Sequence, residues 1–166
     1  VSREMEAKDS WEAGMELHAK FTLFSEGTRG SLSKFLIDNF NLSEGKDFQK
    51  YAIGLKEVWE IKEENFSEGL VEHSMGWPLS DGTNGGSFLY HFDKNLVSIG
   101  YVIHLNYTNP YASPFDEFQQ FKTHPSVKKT LIGGKRLSYG ARAITTGGYQ
   151  SVPKLNFPGG ALIGCS

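Results

Sequence analysis

Between Leu17 and Phe24 the chain alternates, with Leu17, Ala19, Phe21 and Leu23 on one side and His18, Lys20 and Thr22 on the other. That period predicts a half-buried strand. The tight turn Ser25-Glu26-Gly27-Thr28-Arg29-Gly30 follows, and Leu32, Phe35, Leu36 and Phe40 then recur at helical spacing, with Ser31 placed to cap the helix. Strand, glycine turn and helix make a βα unit. Its turn would leave helix N–H groups free for a phosphate or ribose, although the same residues would also serve as a plain structural turn.

Further on, strand patterns follow one another at short intervals. Tyr51 to Ile61, Leu70 to Gly76, Ser87 to Phe92 and Leu96 to Leu105 are each read as strands, and Asp93-Lys94-Asn95 is read as a hairpin loop. Val97, Ile99, Tyr101, Ile103 and Leu105 alternate strictly. Short connections between neighbours predict an antiparallel meander. Ser113-Pro114 with Asp116 and Glu117 signals a helix start, and Phe115, Phe118 and Phe121 stripe that helix as core. A second short helix is expected over Ser126–Leu131, ended by Gly133-Gly134. Lys135 to Ile144 reads as a last long strand, Gly147-Gly148 breaks it, and Gly160 to Cys165 reads as an apolar strand. Arg136 and Arg142 share parity on the long strand, so they are expected on one face.

The stretch Trp77 to Phe92, WPLSDGTNGGSFLYHF, stands out. An apolar arm ends in Pro78, small polar residues follow, and Gly85-Gly86 leads into SFLYHF. Adjacent glycines let the backbone come close to another group because no Cβ intervenes. The residues themselves leave two readings open: a glycine turn between strands, or a place where backbone N–H groups face a ligand.

Composition narrows the function classes. At 166 residues the chain is long enough for one domain with a real core. A net charge of -2 and a pI near 6.2 leave no basic field for nucleic acid. No apolar run approaches the length of a membrane span. The single cysteine, Cys165, excludes an internal disulfide and any multi-cysteine metal or cluster site within these residues. The five histidines are scattered without H-x-x-x-H spacing, and there is no G-x-S-x-G, P-loop or G-x-G-x-x-G. The opening residues resemble neither a signal nor a transit peptide. The chain starts without Met and stops after an apolar run, so it is expected to be a piece of something longer. An α+β domain with several glycine-rich approaches and no catalytic constellation of its own suits chemistry carried by a cofactor.

Five runs then resemble one family together: GMELHAKFTLFSEGTRGSLSK, YAIGLKEVWEI, GWPLSDGTNGGSFLYHF, NPYASPFDEFQQFKTHPSV and GGKRLSYGARAITTGGYQSVPKLNFPGGALIGCS. In order and spacing, from Gly14 to Ser166, they are similar to electron transfer flavoprotein–ubiquinone oxidoreductase. The resemblance implies a flavoenzyme of the inner mitochondrial membrane (matrix side) or the bacterial cytoplasmic membrane. Such an enzyme holds FAD and one [4Fe–4S] cluster, and passes electrons from reduced electron transfer flavoprotein to ubiquinone. It implies a largely antiparallel sheet with helices on one face, plus a βα unit and terminal strand of an FAD-binding domain of the glutathione-reductase/hydroxylase type. The implied division is 1–48 and 145–166 for the FAD-binding domain and 49–144 for the ubiquinone-binding domain, with the cluster elsewhere in the full-length protein.

Carried over by position, Gly85 and Gly86, with Asn84 beside them, resemble the quinone-contacting pair. Glu26, Gly27, Thr28 and Gly30 resemble an FAD-contacting turn. Gly159 and Gly160 through Gly164 and Cys165 resemble the strand leading to the flavin, and Thr145 lies near it. Three positions depart from the family pattern: Asn84 where Tyr is common, Thr145-Thr146 where Asn-Glu is usual, and Thr28 in place of a frequent Cys. Alone, the piece is expected to be inactive. Alternatives are a fragment of a related FAD-dependent reductase or hydroxylase, or a non-catalytic module docking lipid or a partner.

Overall fold

The computed structural model describes residues 6–80 and 82–166. Two sheets share the strands. In the smaller, β1 (Thr22–Phe24) runs parallel to β8 (Gly160–Leu162), and β7 (Asn156–Phe157) pairs antiparallel with β8. The larger holds β2 (Tyr51–Glu60), β3 (Val71–Met75), β4 (Gly85–Phe92), β5 (Leu96–His104) and β6 (Lys135–Thr145), all antiparallel, in the order β3-β4-β5-β2-β6. The helices are α1 (Ser31–Asn39), α2 (Pro114–Phe121) and α3 (Pro125–Leu131). The α+β class is as the sequence implies.

The meander is only partly realised. β3, β4 and β5 follow as hairpins, with Asp93 and Asn95 in the left-handed region at φ 51 and 56. β2 does not lie beside β3, its successor; it crosses to pair with β5, a Greek-key arrangement. β5 thereby becomes the sheet's centre, and Val97, Ile99, Tyr101 and Ile103 are its core residues. Against them pack Leu89, and Phe118, Phe121, Val127 and Leu131 from α2 and α3. Each such buried side chain contributes about 1.5–3 kcal/mol.

Several local expectations are corrected. The strand over Leu17–Phe24 is only Thr22–Phe24, and Leu17 and Phe21 are 91% and 74% exposed, because its one partner, β8, is three residues long. β8 itself ends at Leu162 and turns through Gly164 (φ 68) rather than running on to Cys165. α3 starts one residue early, at Pro125. Phe115 is exposed while Phe118 and Phe121 are buried. A period of three falls behind the helical 3.6, so Phe115 has rotated out of the buried arc by the time Phe121 reaches its centre.

Arg136 and Arg142 do not share a face. β6 carries a bulge: Val58 pairs with Ser138 but Trp59 with Arg136, so Leu137 is an extra residue. Arg136 therefore stands with Trp59 and Glu57 on the helix-covered face, and Arg142, opposite Gly54, on the other.

Candidate functional site

Gly85 and Gly86 lie in β4 itself, not in the turn before it. Neither adopts a positive φ; the turn's left-handed residues are Gly76 and Gly82. Close approach explains the pair. A Cβ on Gly85 would strike the Val102 carbonyl and the Leu79 side chain, and one on Gly86 would stand 2.7 Å from the Ser74 carbonyl. The Asn84 carbonyl accepts from the His104 N–H at 3.0 Å, and Gly85 O accepts from Gly76 N–H at 3.4 Å.

Across the sheet, Gly85 pairs with Ile103, Ile103 with Ile53, and Ile53 with Ala143. At the far end of that row the Thr28 hydroxyl donates to Ala143 O at 3.0 Å. The glycine pair and the Glu26–Gly30 turn thus meet the same end of the sheet, three strand spacings or about 14 Å apart. On one face, Gly54, Val58, Phe88, Val102, Arg142 and Ile144 line an apolar groove of about 540 Å³. It begins beside Gly86, since Val102 is that residue's partner. At the sheet end, Arg29, Gln49, Tyr51, Leu105, Asn106 and Ala143 border a second groove of about 470 Å³. The Arg29 guanidinium lies 5.8 Å from the Tyr51 ring centroid.

The βα turn is built differently from the expectation. Gly30, not Ser31, is the N-cap of α1, and the helix N–H groups are not free. Glu26 reaches over them: its Oε2 accepts from Ser33 N–H at 2.6 Å and from the Ser33 hydroxyl at 2.8 Å, and Oε1 accepts from Leu32 N–H at 3.4 Å. The Ser33 amide, then its hydroxyl, hold the Glu26 carboxyl below its ordinary range. A chain carboxylate has taken the place offered to a ligand phosphate. The turn stays open at Gly27 (φ 80), where a Cβ would meet nothing within 4 Å; its N–H donates to Ser166 Oγ at 3.1 Å. Gly164 is open in the same way.

Of the carried-over cofactor residues, Glu26, Gly27, Thr28 and Gly30 lie with Gly164 and Cys165 at the C-terminal ends of parallel β1 and β8. That is the usual side for ligands in such sheets. Gly159 and Gly160 sit at the opposite end of β8, in the β7–β8 hairpin, where Gly160 lets Thr22 O approach. Thr145 ends β6, and the adjacent Thr146 hydroxyl is buried without a hydrogen-bond partner. An open glycine just beyond the end of each parallel strand and an unpartnered buried hydroxyl fit a bound group rich in acceptors.

Two acids escaped the sequence reading. Glu57 lies on the core face of β2 as the only charge among Ile53, Leu55 and Trp59, an alternation visible in the sequence. Glu117 was read only as a helix-start acid, although its spacing from Phe121 sets it near the buried arc. No group of three His, Cys, Asp or Glu close enough to hold a metal occurs among the described residues. No helix among them is long and apolar enough to cross a membrane.

The family model described as "ETF-QO, ubiquinone-binding" matches residues 51–144, from the start of β2 to the penultimate residue of β6. The chain belongs to the electron transfer flavoprotein–ubiquinone oxidoreductase family. It is 55% identical over 166 residues to the oxidoreductase of that name from Pseudomonas aeruginosa, covering 99% of this chain and 30% of that one. To the human mitochondrial protein of that name it is 54% identical over 168 residues, covering 100% and 27%. The Caenorhabditis elegans relative is 53% identical over 169 residues, covering 100% and 28%. The chain thus spans less than a third of the oxidoreductases it matches. Among solved structures, a triple mutant of the flavin-dependent brominase Bmp2 superposes with a TM-score of 0.51 at 15% identity, over 89% of this chain and 36% of that one, which shows a shared fold.

Proposed function

We propose that this chain is the central portion of an electron transfer flavoprotein–ubiquinone oxidoreductase. Residues 49–144 would form the quinone-binding domain, and 1–48 and 145–166 would be parts of the FAD-binding domain. The whole protein would pass electrons from reduced electron transfer flavoprotein to ubiquinone at the surface of the mitochondrial inner membrane or a bacterial membrane. Its [4Fe–4S] cluster would be held elsewhere, since Cys165 is the only cysteine here.

The observation that carries this reading is the row Gly85–Ile103–Ile53–Ala143, which sets the glycine pair and the Thr28 turn at one end of one sheet. Asn84, Gly85 and Gly86 would hold the quinone head group, because fixed backbone groups stabilise the charge that grows on a carbonyl oxygen during reduction. The groove beginning at Val102 suits an isoprenoid tail, being apolar with Arg142 at its far side. Gly27, Thr28, Thr146 and Gly164 would hold FAD, with Glu26 fixing the shape of the turn. Bound there, FAD supplies a two-electron carrier that this chain's own side chains lack. The exposed Leu32 and Phe35 of α1 would pack on the rest of the FAD-binding domain.

The test is photolabelling of the full-length protein with a photoreactive ubiquinone analogue. Label on the peptide Leu79–Phe92, competed away by excess ubiquinone, is the expected result. Competed label found only outside residues 49–144 would overturn the reading.

A further inference from the structure

Glu117, in the first turn of α2, holds one carboxylate oxygen without a partner. Its Oε2 is buried and has no hydrogen-bond partner, and no Lys or Arg forms an ion pair with it among the described residues. Burial, and after it the Asp116 carboxylate, push its carboxyl above the ordinary range. A carboxylate oxygen out of water and unpaired is costly, and the cost falls if the group keeps its proton.

The carboxyl opens on a cavity of about 10 Å³ bordered by Leu79, Ser80, Thr83, Ile103 and Asn109. That is room for one water, with Ser80, Thr83 and Asn109 as its polar partners. The same wall reaches the glycine pair. Ile103 is the direct partner of Gly85, and a Cβ on Gly85 would strike Leu79. Thr83, tied to Ser80 O through its N–H at 3.0 Å, adjoins Asn84.

Building on the quinone reading above, we propose that Glu117 is a proton-relay residue. It passes its proton, through a water in this cavity and the Thr83 hydroxyl, to a carbonyl oxygen of a quinone held at Asn84, Gly85 and Gly86. Reduction of a quinone to a quinol takes two electrons and two protons, and each C=O gives up its π bond for a new O–H bond. The electrons come from the reduced prosthetic groups of the whole protein. One proton leaves Glu117, whose carboxylate is then reprotonated from solvent, and the other reaches the second oxygen directly from solvent. Two other titratable groups face this carboxyl. Tyr101, from β5, is pushed up to about 12, chiefly by burial, so it keeps its proton at neutral pH and donates to Gly76 O at 3.1 Å. Asp116, on α2 itself, favours the neutral form of Glu117 by repulsion.

The experiment compares the full-length holoenzyme with its Glu117→Gln and Glu117→Asp variants. Glu117→Gln is expected to lower kcat for ubiquinone about 100-fold, leave KM unchanged and remove one limb of the pH profile; Glu117→Asp is expected to restore part of the rate. Reduction of ferricyanide, which takes electrons without protons, stays at the wild-type rate. Infrared spectra at neutral pH show a protonated-carboxyl band in the wild type that Glu117→Gln lacks. Wild-type kcat and pH profile in Glu117→Gln would overturn the relay, as would the absence of that band. An equal loss of ferricyanide reduction would also overturn it, since Glu117 would then serve only the fold. If the photoreactive quinone still labels Leu79–Phe92 in any of these cases, the relay alone falls; label only outside residues 49–144 removes the quinone reading with it.

Discussion

Lys122, in the turn after α2, sets its ammonium 3.0 and 2.9 Å from the two carboxylate oxygens of Glu57 in the middle of β2. Glu57 is buried and Lys122 largely so, the side chains being 3% and 13% exposed. The Trp59 indole donates to Glu57 Oε2 at 2.7 Å, and Arg136 Nη1 to Oε1 at 3.2 Å. The carboxylate therefore accepts from three side chains, and one of them ties the helix layer to the sheet.

Removing one partner of a buried pair leaves a desolvated charge behind. Lys122→Met leaves Glu57 with Arg136 and the Trp59 indole, so it is expected to destabilise the domain by somewhat less than the about 3–5 kcal/mol of a buried charge left wholly unpaired. Arg136→Met, whose side chain is 44% exposed, should cost less than about 1 kcal/mol. Denaturant unfolding of the two variants, followed by hydrogen exchange of the β2 and α2 amides, checks both the size and the order.

The bulge at Leu137 places Arg136 on the face of Glu57. Deleting Leu137 is expected to regularise the pairing while leaving Arg136 opposite Trp59, on the face of Glu57. Arg136→Ala should then cost about the same in the deletion variant as in the full-length strand. A double-mutant cycle on unfolding midpoints measures the coupling, and loss of the Arg136→Ala effect in the deletion variant would contradict the bulged register of β6 on β2.

Gly100 lies directly opposite Phe88, whose ring occupies the place a Cβ on Gly100 would take, and Leu55 O stands 3.1 Å from that place. Gly100→Ala is expected to cost about 1–3 kcal/mol by overpacking and to push Phe88 into the groove. Adding Phe88→Leu should recover part of the loss, though not all, because the Leu55 carbonyl cannot move aside. Thermal midpoints of the single and double variants decide it.

His91 is buried on β4, accepts the Ser67 N–H on Nδ1 at 3.1 Å, and leaves Nε2 without a partner. Burial lowers its pKa from 6.5, with Glu72 opposing. Because the folded value is depressed, the unfolded chain binds the extra proton first. The stability His91 contributes is complete above about 6.5 and is lost as pH falls from there through the lower folded value. Protonation would also set an Nδ1–H donor against the Ser67 donor. Exchange of the 62–70 amides should speed up on acidification below that point, and His91→Phe should flatten the dependence.

The sequence by itself determined the elements with strong local physics. Alternation in β5 from Val97 to Ile103 (Leu105 falls beyond the strand and is 45% exposed), the Ser113-Pro114 start of α2 (the Ser113 hydroxyl accepts Asp116 N–H at 3.3 Å), the Asp93–Asn95 hairpin and the helix-ending Gly133 (φ 73) stand as read. Five runs of residues also carried the family, because similar words in order need no geometry to be matched. Tertiary structure alone decided the rest. Strand order depends on which edges meet, so β2 beside β5 was invisible along the chain. Side-chain parity holds only while the ladder is regular, and one extra residue, Leu137, turned Arg136 away from Arg142. The N–H groups at the start of α1 looked free because the residue that fills them, Glu26, lies outside the helix and folds back over it. Burial then gave two plain acids their character, Glu57 as the tie between layers and Glu117 as a carboxyl raised above its ordinary range with one oxygen unpartnered. Desolvation and pairing act through space, and only the assembled sheet brings those groups together.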